Sequence, residues 1–408
     1  MKVSKRPLDD IIVIDLTHAL SGPICTCMLA DFGAKVIKVE STDGDISRGD
    51  RNPDSSKARE VFNNFNAINR NKDGICLNLR DRECLAVFKE LLKKADVLIS
   101  NYRPGTTKKM GVDYASVKEL NPRLICCEIA AFREEGRENE PGFDVVVQAA
   151  SGIIACTGHP EQPPAKPGPS LADMSAGMMM MQGVLLALIE RERSGRGQAV
   201  SVRMQDSAMY LMPQYAPSLI DDPDYEVMPN GMSHFEATPS NGFKTADGYI
   251  FIAPTGDKLF QTFCNVIGRP DILKDNRFIG RQNLIDNRLF LYNDILNPMF
   301  LTKTTDEWYQ LLSSAGLPVS PVVTPKQAWK KAAAQGAPIV ATVTHSVFGD
   351  VHVPGVAVEM SKTPGRVDKP APCLGQNTEE VLLNIAGLTQ EKITELEARG
   401  AIHCGRGN

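Results

Sequence analysis

Short apolar runs alternate with helix-like segments through about residue 130, and that rhythm restricts the chain to a small set of folds. IIVID, KVIKVE, DVLIS and RLICCEIAA have the length and apolar content of strands, whereas CTCMLADFG and RECLAVFKELLKKA carry helical spacing. Strands that alternate with helices in this way build a parallel, doubly wound α/β sheet covered on both faces. Sheets of this kind often hold a dinucleotide on a GxGxxG turn after the first strand. Here the turn reads DLTHALSGP and lacks those glycines, so NAD or FAD binding by that loop is disfavoured.

Further along come the apolar run MMMMQGVLLALIE, the turn RSGRGQ, the strand-like AVSVRM and a helical segment from Gln205. Between residues 218 and 243 the pattern breaks into DDPDY and MPNGMSH, rich in residues that punctuate structure, and a domain boundary is expected there. Residues 1–217 then form one part, and 218–330 a linker and smaller domain. The smaller domain carries the strands YIFIAP and LPVSPVV and helices near 258–267 and 305–315. Residues 342–358 suggest short antiparallel strands, and two helices flank the turn near Gly387.

Charge and composition narrow the partners. A net charge of −4 with 23% charged residues supplies no basic field for nucleic acid or an anionic membrane, so a small-molecule ligand is expected. The five residues IIVID are too short for the core of a signal peptide, and secretion is not expected. Residues 174–189 form the most apolar stretch, yet they fall short of a bilayer span and include Ser175 and Gln182, so the run reads as a buried helix. Ten cysteines in a long chain without a secretory signal are expected to stay reduced in the cytoplasm. Cys25 with Cys27, and Cys126 with Cys127, lack zinc-site spacing, and the six histidines are scattered, so no metal is expected.

Asp173 stands in GPSLADMSAG at the mouth of the long apolar helix, which makes it the candidate nucleophile. A carboxylate is ionised at neutral pH and needs no base to activate it, and a helix start favours its charge. An Asp before a helical run is equally the residue type that caps a helix by accepting backbone N–H groups. The run Met178 to Met181 points around all sides of a helix, so most of it is expected to fill core.

Several segments together resemble the class III CoA-transferases, a family that includes formyl-CoA:oxalate, carnitine and bile-acid CoA-transferases and the α-methylacyl-CoA racemases. The segments are THALSGPICTCMLADFGAKVIKVE, GDISRGD, NRNKDGICLNL, NYRPGTTKKMGVDYASVKELNPRLI, GFDVVVQAASG, GPSLADMSAG, SGRGQAVSVRMQDS and NGFKTADGYIFIA, in that order over nearly the whole chain. The resemblance implies a large Rossmann-like domain built from both chain ends, with residues 331–408 returning to it, a smaller α/β domain between, and an interlocked homodimer. It also implies that Asp173 is the nucleophile of a CoA transfer from an acyl-CoA to a small carboxylic acid. Coenzyme A is then a co-substrate, with no tightly bound cofactor.

By position, the resemblance assigns CoA contacts to His18, Leu20, Ser21, Leu77, Asn78, Arg80, Asn101, Tyr102, Arg103, Lys109, Met110, Phe143 and Asp144. His18 reads as well as a histidine that satisfies its own loop, and Asp144 as an N-cap before VVVQAASG. Lys109 stands where the family carries a phosphate-binding arginine, which keeps the charge and loses the fork; Arg80 and Lys108 are further phosphate candidates. Leu20 in place of a glutamine, Asp50 in place of a tryptophan, and the lack of a polyglycine loop before NGFKTADG argue against formyl and oxalate groups. A racemase would need a histidine at Phe143, and phenylalanine exchanges no proton, so transfer is preferred to racemisation. A catalytically silent CoA-binding protein is the third reading, opposed by the intact Asp173 motif.

Overall fold

A computed structural model describes residues 5–48, 64–133, 136–137, 140–234 and 237–405. The chain divides into two compact units. The first draws on both ends, running to Ile154, resuming over Lys166–Tyr225 and again from Ala332, while the second comprises Ala155–Ala165 and Glu226–Lys331. The break expected at 218 falls inside the helix Ala216–Asp221, where the Ser218 carbonyl accepts from the Asp222 N–H at 3.0 Å, and the first unit runs on to Tyr225.

Six parallel strands form the centre of the first unit: β1 (Ile12–Leu16), β2 (Lys35–Glu40), β3 (Asp73–Leu77), β4 (Val97–Ser100), β5 (Ile125–Ala130) and β6 (Ala199–Arg203). Their order is β3-β2-β1-β4-β5-β6, with the short strand Ile402–His403 antiparallel on the outer edge of β3. The order reverses at β1, between β2 and β4, which opens a crevice at the carboxyl ends of those strands. β3 had not been read as a strand, because its flanks Asp73, Gly74 and Asn78 are turn residues. Its place is secured by packing: a Cβ at Gly74 would lie 2.7 Å from Pro372 Cγ, so the bare backbone admits the returning C-terminal segment.

One sheet face buries Val13, Val36, Ile99 and Ile129 under the helices Ser21–Asp31 and Leu171–Ser194. The other buries Ile14, Ile37 and Leu98 under Arg82–Lys94 and the terminal helices Thr378–Asn384 and Gln390–Ala398. The Leu171–Ser194 helix has 24 residues and its most apolar 18-residue stretch reaches a mean hydropathy of 1.5, so by length and composition alone it passes as a membrane span, longer than the run read from the sequence. Ala176, Met180, Val184 and Ala187 nevertheless commit its inner face to the sheet. The helix is buried on that face only: Met178, Leu186 and Ile189 on its other side are 50%, 58% and 55% exposed. Of the methionine run, Met180 is sealed in the core and Met181 packs against it.

In the second unit, β7 (Asn241–Lys244), β8 (Tyr249–Ile252) and β9 (Val319–Pro321) form an antiparallel sheet. Phe243, Phe263, Phe300 and Trp308 make its aromatic core. The helix Thr305–Ser314 begins at a capping box of Thr304 and Glu307. In the returning part of the first unit, β10 (Val340–His345) and β11 (Gly349–Pro354) form the antiparallel hairpin expected over 342–358.

Candidate active site

β1 ends at Leu16, and residues 17–20 turn the chain into the helix Ser21–Asp31. Ala19 adopts φ 62, a conformation that costs a residue with a side chain and persists only where its surroundings enforce it. The enforcement is visible on every side. Asn101 clamps His18, accepting its N–H at 3.0 Å and donating to its carbonyl at 2.8 Å, while Asp45 Oδ1 accepts from the Ala19 N–H at 3.3 Å. Lys38 Nζ donates to the Thr17 carbonyl at 2.9 Å and pairs with Asp45 at 2.7 Å.

Asp15, on β1 itself, accepts from the Thr17 N–H at 3.0 Å, from Thr26 Oγ1 at 2.7 Å and from Lys72 Nζ at 2.9 Å. Asp15, Lys38 and Lys72 are all buried. Burial would raise the Asp15 carboxyl, but the charges of Lys72 and Lys38 outweigh it and hold the group well below the usual carboxylate range. These residues were not singled out from the sequence. The available signal was a charge inside an otherwise apolar strand run, Asp15 in IIVIDL and Lys38 in KVIKVE, where an isolated charge is too costly to bury.

Asp173 does not cap its own helix. It lies in the first turn of Leu171–Ser194, and the helix has no side-chain cap from Ser170. Asp144 supplies one from elsewhere: its Oδ1 accepts from the Ala172 N–H at 3.0 Å and the Asp173 N–H at 3.2 Å, and Gln148 Nε2 holds its other oxygen at 2.5 Å. Asp144 was read as a cap for its own helix, Asp144–Ala150; the structure gives it to the neighbouring one. Gln148, fully buried one turn along, is a supporting residue that sequence reasoning missed.

Freed of that duty, the Asp173 carboxylate lines a cavity beside Ser21, whose side chain and backbone N–H act to favour its ionised form. Gly177, one turn beyond Asp173, makes this approach possible, because a Cβ there would lie 2.7 Å from the Ser21 carbonyl oxygen and 2.4 Å from Ile24 Cγ2. Burial and then the nearby Asp144 charge push the Asp173 carboxyl up to about 6, against the Ser21 side chain and N–H, which lower it.

Asp173 faces a cavity of about 240 Å³ lined also by His18, Ser21, Asn101, Tyr102, Arg103, Phe143 and Asp144. A second cavity, of about 660 Å³, is lined by Leu77, Asn78, Arg80 and Met110 and again by His18, Tyr102 and Arg103. The two cavities share His18, Tyr102 and Arg103 in their walls; Asp173 lines the first and Arg80 the second. Leu20 and Lys109 are the site candidates that line neither cavity. Leu20 sits immediately before the helix start, and Lys109, like Lys108, is exposed on the short helix Thr106–Met110. Asp50 lies outside the described residues. Burial lowers the pKa of His18. Among the described residues, no group of three or more His, Cys, Asp or Glu is arranged to hold a metal ion.

The model of CoA-transferase family III matches residues 8–378. The chain is 31% identical over 404 residues to the succinyl-CoA–D-citramalate CoA-transferase of Chloroflexus aurantiacus, covering 97% of this chain and 98% of that one. It is 29% identical over 400 residues to the succinyl-CoA:glutarate CoA-transferase of Mus musculus, covering 98% and 91%. The crystal structure of a CaiB/BaiF family protein from Brucella suis superposes with a TM-score of 0.81 at 27% identity, covering 93% of this chain and all of that one.

Proposed function

The chain belongs to CoA-transferase family III, and from that membership we propose that it moves CoA between an acyl-CoA and a free carboxylic acid through a covalent bond to Asp173. One observation carries this reading: Asp144 caps the Asp173 helix, which leaves the Asp173 carboxylate facing a cavity. Asp173 attacks the donor thioester, its C–S bond breaks, and CoA leaves as the thiolate from a mixed anhydride. The thiolate then attacks the aspartyl carbonyl, releasing the donor acid and leaving an aspartyl-CoA thioester. The acceptor acid runs the same two steps in reverse. No net hydrolysis is required, so excluding water from the anhydride is the main demand on the site.

The two cavities support the accompanying assignments. A pantetheine arm passing His18, Tyr102 and Arg103 would bring its sulfur to Asp173, with Arg80 near the phosphates. Phe143 beside Asp173 supplies no second base, which favours transfer over racemisation. Glutarate, citramalate and succinate in the names of the relatives point to dicarboxylic acids as first substrates to try. A homodimer is supported by exposed apolar side chains of the first unit: Phe143, Val146, Leu186 and Tyr210 are all more than 40% exposed. Ten free thiols, eight of them buried, suit the reducing cytoplasm.

Two measurements test the mechanism. With acyl-CoA and no acceptor, hydroxylamine is expected to convert Asp173 to a hydroxamate, located by mass spectrometry in the peptide containing Leu171, Ala172 and Asp173. Transfer at the normal rate with that peptide unlabelled would overturn the nucleophile assignment. Because Asp173 attacks as the carboxylate and its pKa is raised to about 6, kcat/KM is expected to fall below that pH, about tenfold per unit. A profile flat down to pH 5 would contradict an essential carboxylate with that pKa.

A further inference from the structure

We propose that the Ser21 hydroxyl is a catalytic donor to Asp173: it orients the free carboxylate, then stabilises the oxyanion formed when the aspartyl carbonyl is attacked. This rests on Asp173 being the covalent residue. Ser21 opens the helix Ser21–Asp31, is 3% exposed and lines the same cavity as Asp173. The helices meet where Gly177 removes any side chain that would part them. Gly177 lies one turn from Asp173 and packs on the Ser21 carbonyl, which brings the Ser21 N–H and hydroxyl beside the Asp173 carboxylate, where both favour its ionised form. Leu20 supplies no side-chain cap to that helix start, and the Asp173 carboxylate shares the cavity wall with its first residue, Ser21.

The step in which the donor matters follows from the bonding. In the mixed anhydride one Asp173 oxygen is bonded to the acyl group and the other is a carbonyl oxygen. CoA thiolate adds to the aspartyl carbon, a C–S bond forms, and the electron pair of the C=O moves onto that carbonyl oxygen as an oxyanion. Collapse restores the C=O and expels the donor acid as its carboxylate, with no net proton change. Donors already beside the Asp173 carboxylate need no reorganisation to receive this charge. The clamps on residues 17–19 hold the turn that leads into Ser21, so the hydroxyl is presented from a rigid support.

Ser21→Ala deletes one donor, a change that costs about 10²-fold in turnover where oxyanion donors have been removed. Ser21→Cys, with a weak S–H donor, is expected to fall between wild type and Ser21→Ala. The acid limb of kcat/KM should move upward in Ser21→Ala, because the lost hydroxyl favoured the ionised carboxylate. With acyl-CoA alone, Ser21→Ala should also accumulate more anhydride relative to aspartyl-CoA thioester, the two being told apart by the mass each adds to the intact protein, an acyl group or CoA, before any hydroxylamine is added. A purely structural role would lower the melting temperature without moving the acid limb or that ratio. Turnover of Ser21→Ala within threefold of wild type, with limb and ratio unmoved, overturns the inference while hydroxylamine labelling of wild-type Asp173 leaves the mechanism standing. Failure of wild type to label overturns both.

Discussion

Asp173→Asn is expected to lower CoA transfer on the order of 10³-fold or more while making the folded protein more stable at neutral pH. The amide keeps an acceptor for Ser21 and nearly the same volume, so the loss isolates the nucleophile from the packing. The stability gain follows from the raised pKa. The carboxyl moves from 3.8 to about 6 on folding, so the folded state holds this proton more tightly. Sign and window are therefore fixed: ionisation penalises the fold fully above about pH 6, and the penalty disappears as pH falls through 6 towards 3.8. Two units correspond to about 3 kcal/mol, which solvent screening at a partly exposed group reduces to about 1–2 kcal/mol. A melting temperature higher than wild type by about 2–4 °C at pH 8, with the gap closing at pH 4, is the expected calorimetric result. An asparagine variant that is less stable at pH 8 would show that the carboxylate is a structural group rather than a strained functional one.

Lys72→Met should damage the fold more than any active-site change. It strips Asp15 of a buried cation and also removes the bonds from Lys72 Nζ to the Pro23 carbonyl at 3.0 Å and Asn69 Oδ1 at 2.8 Å. Breaking one side of a buried pair costs about 3–5 kcal/mol because the remaining charge is left stranded. The expected results are a much lower urea midpoint and, in whatever folds, a raised KM for acyl-CoA, since Asp15 also anchors Thr17 at the head of the active-site turn. Adding Asp15→Asn should restore part of the stability by removing the stranded charge. If Lys72→Met alone unfolds at the wild-type midpoint, the cluster is not holding the turn.

Much of this was readable before any coordinates. β1, β2, β4 and β5 announce themselves as apolar runs because their side chains are buried on both sheet faces, and a short run of Val and Ile has few other uses. β3 did not, because its outer side is covered by Pro372 and the strand Ile402–His403, which lie 298 residues from Gly74 and 325 from Leu77 along the chain. In the site, the candidate Asp173 stood out in its motif, and the order of the segments around it pointed to His18, Tyr102 and Arg103, which line the cavity it faces. Gln148 and the Asp15–Lys72–Lys38 cluster were not, since a polar residue in a helix or strand says nothing of the partner that makes its burial tolerable.

The sequence by itself determined the α/β sheet, the family and the identity of the candidate nucleophile, because periodicity and ordered motifs are local properties of a chain. The tertiary structure decided what each carboxylate does. Locally, Asp144 and Asp173 look alike, each an acid at the start of a helix. Asp144 turns its oxygens to backbone N–H groups of the adjacent helix and to Gln148, while Asp173 faces the cavity beside Ser21 under the repulsion of its neighbour. Hydrogen bonding and desolvation set a carboxylate's reactivity, and both depend on which helix ends the fold brings together, 28 or 29 residues apart in the chain but in direct contact in space.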